Sequence, residues 1–231
     1  VVIPVSSKQN NFTLEHLGSI VYTYSETVDK WSISDAAADY IFTGNQVIDF
    51  ALPGTLKVIT YPNTWLQAAD KTKYFPIFQD SGYVTAEQKS NLVNFVMIDC
   101  FNDATDLNDF THLDSLANDP TVVLCLSSTN KNAMQSVRRM FAELQSRDIK
   151  NPVILITDSN WDTPDEHLIH YGTETGALLL DGFGDGICLG MSATAYTNAS
   201  VNSSGRNYSS NQSVEQFINN TAFSILQGKR T

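Results

Sequence analysis

The chain has 231 residues, 42% of them hydrophobic, which is enough to bury a large core in a single domain. It carries 14 Lys and Arg against 25 Asp and Glu, and the formal net charge of −11 disfavours nucleic acid as a partner. No apolar run approaches the roughly 18 residues of a membrane span, and no signal peptide opens the chain. We therefore expect a cytoplasmic protein with no membrane contact.

The first five residues, Val-Val-Ile-Pro-Val, predict a buried strand that begins without an initiator Met. We therefore expect a segment of a longer protein. Further short apolar runs recur along the chain, as in a parallel sheet that is covered on both faces. Strands are predicted at 1–6, 40–43, 56–61, 74–78, 95–100, 122–127, 153–157 and 177–180, and the run at 20–24 competes for second place.

Helical patterns separate these runs. The clearest covers 131–147, where apolar residues recur at helical spacing on one side. Thr163 and Glu166, with Pro164 between them, form a capping-box pattern that predicts a helix start. Alternation of eight strands with helices predicts a parallel (β/α)₈ barrel of TIM type over 1–231, with an open doubly wound sheet as the alternative. The Ser- and Asn-rich stretch 191–212 lacks apolar periodicity, and we expect a mobile loop there.

The three cysteines, Cys100, Cys125 and Cys188, lie far apart in the sequence, and none forms a Cys-x-x-Cys pair. Cys100 and Cys125 sit in apolar runs, so buried, reduced thiols are favoured over a metal or redox site. His167 and His170 could share one face of a helix and bind a metal, but solvated side chains are the favoured interpretation.

The most distinctive segment is Asp181-Gly-Phe-Gly-Asp185-Gly, which follows the run predicted as the eighth strand. In a barrel such a turn would lie at the carboxyl-terminal rim, where active sites are built. It could bind an anion or substrate, or it could be a tight turn in which Asp181 and Asp185 accept backbone hydrogen bonds. Asp99 and Asp158 stand at or near the ends of two other predicted strands. These four aspartates are weak rim candidates, because no nucleophile, base or cation accompanies them.

The stretch 173–187, together with the final ten residues 222–231 (Ala-Phe-Ser-Ile-Leu-Gln-Gly-Lys-Arg-Thr), resembles the 4-hydroxy-3-methylbut-2-enyl diphosphate synthase family. The resemblance implies the inserted middle domain of the long, three-domain form of this enzyme of non-mevalonate isoprenoid synthesis. It also implies an oxidoreductase that uses ferredoxin or flavodoxin, with a [4Fe–4S] cluster bound in a separate domain. None of the cysteines of this chain matches the cluster ligands.

In the family's catalytic barrel a similar glycine turn is followed by an Arg and a Ser that hold the substrate diphosphate. The matching positions here are Cys188 and Gly190. A thiol cannot replace the charged guanidinium group of Arg, which binds phosphate through two parallel hydrogen bonds. The resemblance therefore implies a barrel that no longer binds phosphate.

Three functions follow as hypotheses. The first is a non-catalytic spacer, without cofactor or metal of its own, whose partners are the flanking catalytic and cluster domains of the same chain. The second is a binding module whose acidic rim docks ferredoxin or flavodoxin, or holds a divalent cation. The third and weakest is an independent barrel enzyme.

Overall fold

The computed structural model describes residues 1–5, 12–101, 111–117, 119–192, 194–195 and 213–228. Eight parallel strands close into a barrel in the order β1-β10-β9-β8-β7-β6-β5-β4. The predicted barrel is confirmed, and the open-sheet alternative is wrong. Most of the loop predicted at 191–212 lies outside the described residues. The strands are β1 Val2–Pro4, β2 Tyr22–Ser25, β3 Lys30–Ile33, β4 Tyr40–Gly44, β5 Lys57–Thr60, β6 Tyr74–Gln79, β7 Asn94–Asp99, β8 Val122–Ser127, β9 Val153–Ser159 and β10 Gly186–Met191.

Helices cover most of the barrel wall. They are α1 His16–Ser19, α2 Pro62–Gln67, α3 Asp80–Thr85, α4 Thr111–Ala117, α5 Ala133–Ser146, α6 Pro164–Tyr171, α7 Ala177–Leu180 and α8 Val214–Gly228. Thr163 caps α6 through the predicted capping box with Glu166. No helix among the described residues is long and apolar enough to cross a membrane.

The wall departs from the regular pattern between its first and third strands. An antiparallel hairpin, β2–β3, lies beside the short helix α1 in the connection from β1 to β4. The run at 20–24 that competed for second place contributes to this hairpin, whereas the barrel strand is β4. Residues 45–56, which lead from β4 to β5, contain no helix. Most of the hairpin is exposed, although Tyr22 is buried, and the ring of Tyr24 lies tilted against that of Trp31 at 5.1 Å between centroids.

The prediction of an eighth strand at 177–180 is wrong. These residues form α7, which continues α6 through a π-helical turn at Gly172–Gly176, and the last barrel strand is β10. Leu178 and Leu179 are buried while Leu180 is 73% exposed, an asymmetry that a helix produces and an alternating strand does not. A run of four apolar residues cannot by itself distinguish a buried strand from a buried helix.

The π-helical turn also connects two helices. The backbone N–H of Met134, in the first turn of α5, donates to Glu174 Oε2 at 2.6 Å. Asn132, which precedes α5, makes no capping hydrogen bond with its own side chain. Thr175 is fully buried, and its hydroxyl shares a hydrogen bond of 2.7 Å with Thr157 of β9. The turn therefore fixes α5 and β9 relative to each other.

The barrel interior is a packed core. Aromatic rings from three strands meet near its middle, where Tyr40 contacts Phe95 at 5.3 Å and Phe75 at 6.3 Å between centroids, both edge to face. Phe95 is 1% exposed. Val2, Ile59, Ile77, Cys125 and Cys188 complete this inner cluster. A second and larger cluster fills the space between the strands and the outer helices.

A polar network ties the loops together at the amino ends of β7 and β8. Asp119 accepts hydrogen bonds from the Tyr83 hydroxyl, and its Oδ1 accepts from the Thr121 N–H at 2.9 Å and the Thr121 hydroxyl at 2.6 Å. Burial alone raises the pKa of Asp119, but these hydrogen bonds outweigh it and hold the pKa below the ordinary 3.8.

Acid should therefore weaken the fold partly through Asp119. A carboxyl group with a lowered folded-state pKa contributes stability above its unfolded pKa and loses that contribution as the pH falls through the folded value. The stability advantage of the native chain over Asp119→Asn should be present at about pH 7 and shrink below about pH 4. Urea unfolding across this range measures it, with the exposed Asp148→Asn as the control. An advantage that grew in acid would contradict the network's role.

Candidate functional site

The carboxyl ends of the barrel strands form a mouth lined by inward-facing residues. Because strand side chains alternate, the last inward position of each strand can be assigned from the interior cluster below it. For seven of the strands these positions are Pro4, Phe42, Gln79, Asp99, Ser127, Asp158 and Gly190. Two of the four predicted rim candidates, Asp99 and Asp158, thus reach the mouth.

Asp99 ends β7 and joins two loops of the mouth. Its Oδ1 accepts from the backbone N–H of Phe101 at 2.9 Å and of Thr129 at 3.2 Å, and its Oδ2 accepts from the Thr129 hydroxyl at 2.8 Å. Three donors from the protein itself already occupy this carboxylate. Asp99 therefore links Phe101 to Thr129, rather than offering two open oxygens to a ligand.

Asp158 lies next to Gly190 in the register of β9 and β10. A methyl group built on Gly190 would overlap Asp158 Oδ1, so the carboxylate occupies the space above the glycine. Pro4 of β1 closes the other side of this space. The side chain of Asp158 is exposed to solvent at the mouth. Gly190 is therefore needed for the close approach of a negatively charged group.

The other two candidates lie at the opposite end of the barrel, so the predicted four-aspartate rim is wrong. The glycine turn precedes β10 instead of following the eighth strand, which places Asp181 and Asp185 at the amino ends of the strands. Asp185 Oδ2 accepts from the Val153 N–H at 2.9 Å, and Asp181 forms a surface ion pair with Arg138. The tight-turn interpretation is the one that the geometry supports for Asp185.

A buried polar network behind the mouth escaped the sequence analysis. The Tyr171 hydroxyl donates to the Gly190 carbonyl at 2.6 Å, and Ser159 Oγ shares a hydrogen bond of 2.6 Å with His167 Nδ1. A Ser–His pair at this distance resembles an activated nucleophile. However, Ser159, His167 and Tyr171 are all fully buried between β9 and α6, where no substrate can reach them. The pair is structural, and the prediction that His167 is solvated is wrong.

The strand-to-helix tether can be tested at Tyr171. Burial, followed by the charge of Asp158, raises the pKa of its hydroxyl, so the group stays protonated as a donor. Tyr171→Phe would leave the Gly190 carbonyl without this partner, and we expect a loss of about 1–3 kcal/mol in the free energy of unfolding. Chemical denaturation measures this loss. Tyr61→Phe, at a position that is 42% exposed, is the control and should change stability little; equal losses would refute the tether.

Comparison with known proteins gives one informative match. The 4-hydroxy-3-methylbut-2-en-1-yl diphosphate synthase (flavodoxin) of Parabacteroides distasonis is 28% identical to this chain over 151 residues. The chain is related in sequence to part of that synthase. The match covers 65% of the chain but 23% of the synthase, so the chain spans about a quarter of this relative's length. No protein-family model and no solved structure matches the chain.

The cysteines of this chain do not fit an iron–sulfur ligand set of the kind that the resemblance implies for the parent enzyme. Cys125 and Cys188 belong to the barrel interior, whereas Cys100 packs on its outer side. Burial raises the pKa of the Cys100 thiol to about 12 and also raises that of Cys125, which opposes the thiolate form that metals require. None of the three forms a disulfide, as the sequence predicts for buried thiols.

The described residues contain no group of three His, Cys, Asp or Glu side chains that could hold a metal ion. Among the described Lys and Arg residues, Lys131 lies on a loop at the carboxyl ends of the strands, and Arg139 of α5 donates to the Cys100 carbonyl just after β7 at 3.4 Å. The described part of the mouth therefore combines solvent-exposed carboxylates with a filled barrel interior.

Proposed function

We propose that this chain is a non-catalytic barrel domain of a longer 4-hydroxy-3-methylbut-2-en-1-yl diphosphate synthase, where it acts as a spacer between the catalytic barrel and the cluster domain. The observation that carries the proposal is the carboxylate of Asp158 above Gly190. Gly190 stands where the resembling catalytic barrels place a diphosphate-binding Ser, and Cys188 stands in place of their Arg.

Electrostatics at the mouth supports a barrel that does not bind diphosphate. A phosphate oxygen about 4 Å from a carboxylate is repelled by roughly 4 kcal/mol at an effective dielectric constant of about 20. Cys188 is 9% exposed and supplies no positive charge against this repulsion. The region that corresponds to the diphosphate site of the catalytic barrels thus lacks their Arg and carries the Asp158 carboxylate.

Packing of the interior supports the same conclusion. The edge-to-face contacts of Tyr40 with Phe75 and Phe95 fill the barrel below the mouth. A rigid, filled barrel suits a spacer, because the cluster and the substrate lie on different domains and react only when these domains are accurately placed relative to each other. The proposed partners are the catalytic and cluster domains of the same polypeptide. The proposed parent enzyme is a cytoplasmic oxidoreductase of isoprenoid synthesis. Ferredoxin or flavodoxin would act on this parent enzyme at its cluster.

The spacer role can be tested in the Parabacteroides distasonis synthase. Replacing its matched segment with a flexible Gly/Ser linker should lower kcat by at least about tenfold, since the reacting centres lose their fixed separation. The KM for the cyclic diphosphate should stay near that of the intact enzyme. Inserting this 231-residue chain in place of the linker should restore turnover. Full turnover with the linker alone would refute the proposal.

A second measurement keeps the proposal testable if the linker variant does not fold. Calorimetric titration of the isolated chain with pyrophosphate should show no binding heat. Tight binding at the mouth would show that the barrel has kept a phosphate site. The same titration with Mg²⁺ and Ca²⁺ addresses the cation-binding alternative, which the described geometry does not favour.

A further inference from the structure

The large aromatic side chains that are most open to solvent, among the described residues, gather at the mouth. Tyr61 is 42% exposed, Phe101 44% and Trp161 51%. They lie one or two residues beyond the ends of β5, β7 and β9, so they mark alternate strands over half of the closed barrel. With strands about 4.8 Å apart, neighbouring members of this series stand on strands roughly 10 Å apart. We call these three residues and the aspartates between them the carboxyl-end face.

Charge among the described residues of the carboxyl-end face is mainly negative. Asp80, Asp99, Asp158 and Asp162 lie among the aromatic residues. The described cations there are Lys131 and Arg139, whose guanidinium donates to the Cys100 carbonyl at 3.4 Å. The opposite end of the barrel is mixed. It carries several lysines, close in sequence to acids such as Asp70 and Asp148: Lys57, Lys71, Lys73, Lys89 and Lys150. Among the described residues, the carboxyl-end face therefore carries more acidic than basic side chains.

Exposed aromatic rings combined with carboxylates are better suited to binding another protein than to binding a small molecule. Small ligands need a concave pocket, whereas the interior beneath this mouth is filled by the rings of Tyr40, Phe75 and Phe95. Aromatic side chains are enriched among the residues that dominate protein–protein affinity. Their faces also attract the ammonium and guanidinium groups of Lys and Arg.

We propose that the carboxyl-end face docks a basic protein surface, with Tyr61, Phe101 and Trp161 packing against Lys and Arg side chains of the partner. The carboxylates around them supply the complementary charge and accelerate association. This inference does not rest on the proposed spacer role, since it concerns the isolated domain and a surface that the spacer argument leaves unused.

Oxidised cytochrome c, a small basic protein, is the probe for this face, and flavodoxin, an acidic protein, is the comparison. Calorimetry at low salt should show binding of cytochrome c that weakens as the salt concentration rises. Trp161→Ala should raise its Kd by about tenfold or more, and Asp158→Asn by a few-fold. In NMR spectra of the chain, the amide signals of residues 61, 101 and 161 should shift more than those of residues 89 and 150.

Matched variants at the other end separate docking from simple attraction between opposite net charges. Asp148→Asn removes the same charge as Asp158→Asn, and Leu180→Ala removes an apolar side chain that is 73% exposed. Neither should change the Kd by more than about twofold. Equal effects of the two sets of variants would overturn the proposal, as would unshifted amides at the face or tighter binding of flavodoxin than of cytochrome c.

Discussion

Phe95→Ala should destabilise the chain by about 3–5 kcal/mol, because it removes a ring from the closed interior of the barrel. Phe95 is 1% exposed and lies 5.3 Å from the ring of Tyr40, within a cluster built from several strands. Strands on all sides hold the surrounding side chains, so the cavity cannot easily collapse. Urea unfolding followed by circular dichroism measures the loss.

Phe101→Ala is the matched control for this experiment. It makes the same chemical change six residues later in the chain, at a side chain that is 44% exposed, and should cost less than about 1 kcal/mol. Similar losses at the two positions would mean that the interior is loosely packed, and the argument against a deep ligand pocket would then fail.

Gly184→Ala should cost about 2–5 kcal/mol, from two independent causes. Gly184 has a φ of +90°, where an L side chain is strained, and a Cβ at this position would lie 2.9 Å from Leu155 Cδ1. The turn before β10 must therefore either open or displace a buried leucine of β9. Thermal or chemical denaturation measures the effect.

Gly182→Ala separates the two causes. Gly182 has a φ of +86° in the same turn, but a Cβ there would meet nothing within 4 Å. It should therefore show the conformational strain alone, at about 1–2 kcal/mol. The difference between the two variants reports the contact with Leu155. If Gly182→Ala were the more harmful change, that steric explanation would be wrong.

Most of the barrel could be predicted from the sequence because buried parallel strands appear as continuous apolar runs. Seven of the eight predicted runs fall on barrel strands. The eighth failed because the apolar run 177–180 belongs to a helical segment that begins at Pro164 and continues through Gly172 and Gly176. Because the last strand was predicted before Asp181 instead of after Asp185, the prediction placed both aspartates at the wrong end of the barrel.

The geometry of the mouth was less predictable. Asp99 and Asp158 were placed correctly because each stands at the end of a clear apolar run. The contact of Asp158 with the space above Gly190 depends on the register of two neighbouring strands, and 31 residues lie between Asp158 and Gly190 in the chain. The links from Tyr171 to Gly190 and from His167 to Ser159 are likewise tertiary, and no local pattern marks them.

The hydrogen bond from Met134 to Glu174 has a consequence for the order in which the chain becomes structured. The first turn of α5 receives its cap from a residue 40 positions further along. During synthesis α5 is made before Glu174, so its first turn lacks this cap until the segment around Glu174 has folded against it. The end of α5 would thus become rigid only when the following helix docks, which joins the two segments into one late cooperative unit.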